Sequence, residues 1–391
     1  MSSQDTLLLE LAALFLKLGV ISFGGPAAHI AMMESEVVRK RQWMTKQQFL
    51  DMLGAANLIP GPTSTEMAIS TGFIRAGWAG LCVAGACFIV PAAIITGAFA
   101  WAYVRFGSLP QTAAVLSGIK PAVIALIVIA IARLGKAALK NAGLALLGIA
   151  AATAFFLGIS PILILLGGGV IGMAGRQLTD SRLSANSLVP AIFSGRCLGR
   201  LKFFGTAIFA AAVVGERPSY LQIALFFLKV GAVLYGGGYV LLAFLEHGLV
   251  EQHAWLTQQQ LLDAIAIGQF TPGPVLSTAT FIGYLLGRAP GAAVATVGIF
   301  LPSFIYVALL APVLFRLRQS TWIAAFLDSV NVCAVALMTG VTFRLAVDAL
   351  RGWPAWLISA IAFVLLLRWQ VNSALIVFVG GVLGVLFATL R

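Results

Sequence analysis

The sequence predicts an all-α polytopic membrane protein built from two inverted-topology repeats with discontinuous or re-entrant helices. Three observations predict it. The 391 residues are 60% hydrophobic and only 10% charged, whereas a soluble domain carries about 25% charged residues; mean hydropathy is +1.01. Two breaks in apolar sequence, Gly24-Gly25-Pro26 and Pro60-Gly61-Pro62, recur as Gly236-Gly237-Gly238 and Pro272-Gly273-Pro274. Finally, the loop after the first break is basic in one copy and acidic in the other. A helix broken at membrane depth persists only where protein or a polar cavity receives the freed backbone groups. Two breaks per half, at matching positions, point to a substrate site between the repeats.

The repeat is read directly. Setting Lys17 on Lys229 gives an offset of 229 − 17 = 212. Without a gap, Gly19 then falls on Gly231, Glu34 on Glu246, Trp43 on Trp255, Thr45 on Thr257, Gln48 on Gln260 and Asp51 on Asp263. After the Pro-Gly-Pro tracts one residue is lost, and Gly72, Gly80 and Pro91 match Gly283, Gly291 and Pro302. The expected organisation is a first membrane repeat over 1–175, a basic linker with a short apolar segment over 176–216 (Arg182, Arg196, Arg200), and a second membrane repeat over 217–391. Arg39, Lys40, Arg41 and Lys46 place the first-half loop in the cytoplasm, and the linker with it; the acidic twin, with Glu246, Glu251 and Asp263, belongs outside. One pair opposes this assignment: Arg344 and Arg351 match Arg133 and Lys140, the same sign in both halves.

In chain order, residues 6–23 read as a helix, and Pro26 suits the first turn of the next, where its missing N–H is no loss. That helix runs to about Arg39. Thr45-x-x-Gln48 and Thr257-x-x-Gln260 are capping boxes that start helices ending near each Pro-Gly-Pro. Further helices begin at Pro62 and Pro274. These pieces fall short of the roughly 20 residues of a straight span and read as half-helices. Ordinary spans follow at about 78–104, 111–133, 142–158 and 161–175, and at about 290–315, 322–344, 353–368 and 372–390. Gly168-x-x-x-Gly172 and Gly380-x-x-x-Gly384 predict close helix contacts.

Helix N-termini carry about half a positive charge and unpaired N–H donors, a setting for anions. The starts at Gly24, Gly25 and Pro26, at Pro60, Gly61 and Pro62, after Gly236, Gly237 and Gly238, and at Pro272, Gly273 and Pro274 supply such ends. Thr63, Ser64 and Thr65 after one break, and Thr271 and Ser277 around the other, add hydroxyls, and the equivalent Asn57 and Gln269 add amides. Lys17 and Lys229, at matching positions in apolar helices, are candidate counter-charges for a dianion, with snorkelling to an interface as the alternative. Glu10, Glu66 and Arg75 have no charged twins and are candidates for proton or ion coupling, with a structural role as the alternative; His29, which matches Leu241, is a second candidate for proton linkage. Asp51 and Asp263 read as local caps.

Other classes lose ground. The net charge of +12 fits loops that obey the positive-inside rule better than nucleic-acid binding. Cys82, Cys87, Cys197 and Cys333 have no CxxC spacing, and His29, His247 and His253 form no metal-ligand pattern, so no metal and no cofactor are expected. Walker A, HExxH and GxSxG motifs are missing, so the chain does not read as an enzyme. Met1 to Thr6 does not read as a signal peptide.

Phe23-Gly24-Gly25-Pro26-Ala27-Ala28-His29-Ile30, Pro60-Gly61-Pro62-Thr63-Ser64-Thr65-Glu66, Leu228-Lys229-Val230-Gly231 through Gly238, and Gly268-Gln269-Phe270-Thr271-Pro272-Gly273-Pro274 through Thr278 carry a resemblance. At these stretches the chain resembles the chromate transporter family in its long, two-repeat form. The resemblance implies a multi-pass bacterial inner-membrane protein that exports chromate and confers chromate resistance. It also implies a link to sulfate, a tetrahedral dianion of similar shape. Spacing and composition by themselves reach an anion carrier with inverted repeats.

Overall fold

The structure, a computed structural model, describes residues 3–107, 109–183, 218–235, 238, 240–310, 321–369 and 371–390. These residues form fourteen α-helices and no strand. Helix α1 (Ser3–Ile21) stops at the first break, where Gly24 and Gly25 take φ of 106° and 77°, a region glycine enters without a Cβ penalty. Pro26 opens α2 (Gly25–Glu34), which returns beside α1 and is prolonged by a π-helical turn, Ser35–Lys40. Met33 and Val37 pack with Leu11, Leu14, Phe15 and Leu18. The pair is therefore a hairpin with its tip at the glycines.

The capping box of Thr45 and Gln48 opens α3 (Lys46–Ala56) with both reciprocal bonds in place. After Pro60-Gly61-Pro62 comes α4 (Thr63–Phe106), whose Ala76 and Gly77 leave helical geometry. A Cβ on Gly72 would collide with the Gly80 carbonyl, whereas residues eight apart on a straight helix stand about 12 Å apart. So α4 is two limbs folded side by side: the half-helix expected from Pro62, and the span expected at 78–104. A two-residue reversal joins them because glycine on both limbs lets the backbones touch.

The second repeat follows the same plan with α8 (Tyr220–Val233), α9 (Leu241–Leu245) with its π turn Glu246–Gln252, α10 (Gln258–Phe270) and α11 (Thr278–Leu310). Thr257 and Gln260 form the second capping box. Gly287 and Arg288 make the second reversal, and Gly283 meets Gly291 as Gly72 meets Gly80. The helix expected to begin at Pro274 begins as a 3-10 turn, Val275–Ser277. Around this centre stand α5 (Pro110–Ala138), α6 (Ala142–Phe156), α7 (Pro161–Leu183), α12 (Thr321–Ala349), α13 (Trp353–Trp369) and α14 (Ser373–Thr389). Gly168 and Gly172 pack against Cys333 and Ser329 of α12, and Gly380 and Gly384 against Gly118 of α5, the contacts their spacing predicted. Among the described residues, four helices are long and apolar enough to cross a membrane: Thr63–Phe106, Thr112–Ala138, Val275–Leu309 and Trp322–Ala349. Gly236, Gly237 and linker residues 184–217 lie outside the described residues, as do the last residues of the span expected at 290–315; residues 176–183 extend α7.

The long limb of α4 reveals the opposed orientation of the repeats. Its start adjoins Arg75, which pairs with Glu10 and lies over the Trp43 ring. Its far end, at Tyr103, Val104 and Gly107, faces Trp255, Gln260 and Arg288 of the second repeat. At 1.5 Å per residue the limb is about 43 Å long, so the two reversals, at Gly77 and Arg288, sit on opposite faces. The conflicting Arg344 is resolved by packing. Its Nη1 lies 3.2 Å from Glu246 Oε1 and also pairs with Glu251, so it neutralises the acidic loop. Burial pushes the Glu246 carboxyl up, Glu251 adds to that, and Arg344 opposes it.

Candidate functional site

The breaks of the two repeats meet. Gly61 N–H donates to the Leu234 carbonyl at 2.7 Å, and Gly273 N–H donates to the Ser22 carbonyl at 2.8 Å. Ser22 and Leu234, and Gly61 and Gly273, are each 212 residues apart. The two bonds are therefore one contact repeated by a pseudo-two-fold axis: the second break of each repeat is bonded to the first break of the other. No side chain caps the start of α2 or of α4, which leaves backbone donors at this junction open to another partner.

Buried polar groups flank the two bonds. Among the described residues, Ser22 Oγ, Thr65 Oγ1, Ser303 Oγ and both Glu66 carboxylate oxygens make no hydrogen bond, although Thr65, Glu66 and Ser303 are 0% exposed. A Cβ on Gly61 would stand 2.6 Å from Ser303 Oγ and against the Glu66 carboxyl, so these two groups converge on the Gly61 turn. Leaving several such groups unpaired in a dry interior is costly. A guest with oxygen atoms would satisfy the hydroxyls. Thr96 Oγ1 and Ser277 Oγ, 3.2 Å apart, bridge the repeats alongside.

The structure separates the candidates read from sequence. Gly24, Gly25, Pro26, Pro60, Gly61, Pro62, Pro272, Gly273 and Pro274 form the turns of the junction, and Ser64 is buried beside Thr65. Gly238 packs on Val275 and Leu276. Thr63 donates to Asn57 at 3.3 Å on a more open edge. Thr271 is turned back to the Gly268 carbonyl at 3.1 Å, and Gln269 is buried. His29 is at the junction, its Nε2–H donating to the Ser22 carbonyl at 3.1 Å and its ring edge-on to Phe88. This bond fixes the tautomer and braces the acceptor that Gly273 also uses.

Three expectations are corrected. Lys17 does not face the junction: its side chain is 50% exposed and its ammonium lies 2.9 Å from Glu36. Lys229 is likewise exposed on α8, within electrostatic reach of His253 in the loop. Both follow the snorkelling alternative, because a long stem lets the ammonium escape the apolar interior. Arg75 is a surface tie between Glu10 and the Trp43 ring; the two unmatched charges answer each other. Asp263 is no local cap, since its carboxylate is 2.9 Å from Lys120 and accepts from Tyr103 at 2.8 Å, joining α10 to α5 and α4. Asp51 does stay local, accepting from Gln47 at 3.1 Å.

Lys17 and Lys40 hold the Glu36 carboxyl down at about 2. The folded pKa is depressed, so this contribution is complete above the ordinary carboxylate range and is lost as pH falls through about 2. An exposed pair is worth about 0–1 kcal/mol, and Glu36 keeps Lys40 and Arg41 as partners. Lys17→Ala and Lys229→Ala should therefore each leave stability within about 1 kcal/mol of wild type, read from Tm in detergent; a large loss in either would contradict the surface placement.

Sequence reading missed Ser22 and Ser303. Ser22 lies inside the quoted repeat, but its twin Leu234 contributes a carbonyl, which no side-chain pattern displays. Ser303 matches Ala92 and comes to the junction only through the reversal of α11.

The chromate transporter family profile matches residues 9–173 and again residues 221–385. The chain belongs to the chromate transporter family. The two matched segments correspond to the two halves that cross-bond at Gly61 and Gly273. Relatives of this chromate transporter family member match along nearly its full length. A probable chromate transport protein of Synechococcus elongatus is 30% identical, over 97% of this chain and 95% of its own. The chromate transport protein of Cupriavidus metallidurans is 31% identical, over 96% of this chain and 91% of its own. That of Pseudomonas aeruginosa is 30% identical, over 96% of this chain and 91% of its own. No solved structure matches the chain.

Proposed function

We propose that this chain is a secondary transporter that exports chromate across the bacterial inner membrane, binding the dianion where the four breaks meet. The observation that carries the reading is the reciprocal pair of bonds, Gly61 to Leu234 and Gly273 to Ser22. Unpartnered buried groups flank both bonds: Ser303 and Glu66 beside Gly61, next to Thr65, and Ser22 beside Gly273, while the starts of α2 and α4 carry no side-chain cap. Rocking of one repeat against the other about such a junction exposes it to each face in turn. The names of the relatives support chromate as cargo, and the membrane potential supports the direction. With the interior negative, a dianion moving outward alone gains roughly 4.6 kcal/mol per 100 mV, twice the value for one charge.

Glu66 sets a condition on this binding. A carboxylate with no cation beside it repels a dianion in the same enclosed space. The anion therefore binds with Glu66 protonated, and Glu66 gives that proton up on the side where the anion leaves, so that one net negative charge crosses and the electrical gain is roughly 2.3 kcal/mol per 100 mV. In proteoliposomes, chromate flux should saturate, show counter-transport and fall as pH rises and Glu66 ionises. Glu66→Gln should carry chromate with a flat pH profile and move close to one more negative charge per cycle. A non-saturating flux would make the chain a channel; a Glu66→Gln profile matching wild type would remove the carboxyl from coupling. Competition by sulfate with the potential clamped at either sign reads whether sulfate shares the site.

A further inference from the structure

Arg288 sits at φ 56° and ψ −149°. That region of backbone space is essentially reserved for glycine, and a side chain there is strained. The equivalent reversal in the first repeat uses Gly77, at φ 60° and ψ −145°. One fold position, seen twice in one molecule, is thus occupied once by the unstrained residue and once by an arginine. Its neighbours in chain, Gly287 and Ala289, are small, so packing at the turn does not demand a long side chain. Strain retained where a relaxed solution is present in the same chain points to a use for the side chain.

The guanidinium has somewhere to act. Arg288 lines a cavity of about 350 Å³ together with Tyr103, Gly107, Trp255 and Gln260, a size within the range of small-ligand pockets. Among the described residues Arg288 has no hydrogen-bond or ion-pair partner. The Gln260 carboxamide oxygen is committed to the Thr257 N–H at 3.0 Å, which leaves its NH₂ as a donor. Trp255 adds an indole N–H. The acid behind the wall, Asp263, is neutralised by Lys120 at 2.9 Å and takes the Tyr103 hydroxyl at 2.8 Å. The available groups are donors, and one carries a fixed positive charge that can grip an oxyanion through two parallel N–H bonds. The cavity opens at the far end of the α4 long limb, on the face opposite the basic loop and away from the junction.

We propose that Arg288 anchors a second oxyanion site, in the mouth of the transporter on the face opposite the basic loop, for tetrahedral dianions of the chromate and sulfate kind. It rests on the reading of the chain as an oxyanion carrier and extends it with a staging point between the junction and that face. The test uses the full chain in oriented membrane vesicles, with chromate as probe, comparing wild type with Arg288→Gly and Arg288→Lys. Arg288→Gly installs the residue that the first repeat already uses, so its Tm in detergent should equal or exceed that of wild type. For chromate presented to the Arg288 face, KM should rise about tenfold in Arg288→Gly with kcat within about twofold, and Arg288→Lys should recover part of the loss. For chromate presented to the basic face, KM should not change. An unchanged KM at the Arg288 face, an equal rise at both faces, or a lowered Tm in Arg288→Gly would each overturn the site. Absence of any chromate flux in wild-type vesicles would overturn the carrier reading itself, and this site with it.

Discussion

Alanine at Gly61 or at Gly273 should lower chromate transport more than tenfold, and the two variants should behave alike. Gly61 has φ +144° and Gly273 φ +88°, where a side chain introduces strain of about 1–3 kcal/mol. Sterics add to this. The new Cβ at Gly61 would stand 2.6 Å from Ser303 Oγ and meet the Glu66 carboxyl, and that at Gly273 would stand 2.6 Å from Ala92 Cβ. Either shift pulls an N–H from its acceptor across the repeat boundary, at Leu234 or at Ser22. Flux is measured at matched amounts of protein in the membrane, with Gly158→Ala as a control. Gly158 also has positive φ, but a Cβ there would meet nothing within 4 Å, so it carries backbone strain without the junction. If Gly61→Ala and Gly273→Ala match that control, the junction is not where transport occurs.

The second large effect is on stability. Lys120 and Asp263 are 12% and 2% exposed at their side chains and lie 2.9 Å apart. Removing one member of a buried pair leaves an uncompensated charge and costs about 3–5 kcal/mol, whereas replacing both with apolar groups of similar size is often neutral. Lys120→Met and Asp263→Leu should each lower Tm in detergent strongly, and the double variant should recover most of the loss. Asp263→Leu carries a further penalty because Tyr103 loses its acceptor. Two single variants whose losses simply add would contradict the pairing.

These two tests bear on parts of the molecule that differ in how far the sequence discloses them. The repeat, the breaks, both capping boxes and the spans were readable because glycine, proline and cap residues act through their own backbone. Thr45 with Gln48 and Thr257 with Gln260 needed only local spacing. The junction was readable as a location, since both tracts recur at one offset. Which atoms meet there was not, because Ser22 and Leu234 take part through carbonyls. The lysines misled for a related reason. Lys17 and Lys229 are symmetric, which suggested a shared role at the centre, but the partner of Lys17 is Glu36, whose twin position holds Gly248. Nothing in the repeat pattern marks Glu36. Arg344 shows the same limit: its charge opposed the topology until packing set it against Glu246 and Glu251.

The reversals at Gly77 and Arg288 were hidden as well. The sequence showed apolar runs on either side and matched glycines at 72, 80, 283 and 291. It did not show that the glycines of each pair touch one another. That contact turns each half-helix back on its following span. It also carries Ser303 to the junction and Arg288 to the opposite mouth.

The central claim is that a doubly negative oxyanion is held between the repeats at the Gly61–Leu234 and Gly273–Ser22 contacts. A density map of the protein saturated with chromate tests it most directly. The account predicts density for one tetrahedral anion between the two contacts, within hydrogen-bond distance of the Thr65 and Ser303 hydroxyls and beside the start of α4. Chromate held instead by Lys17 or Lys229, or unbroken helices running through both glycine and proline tracts, would contradict it.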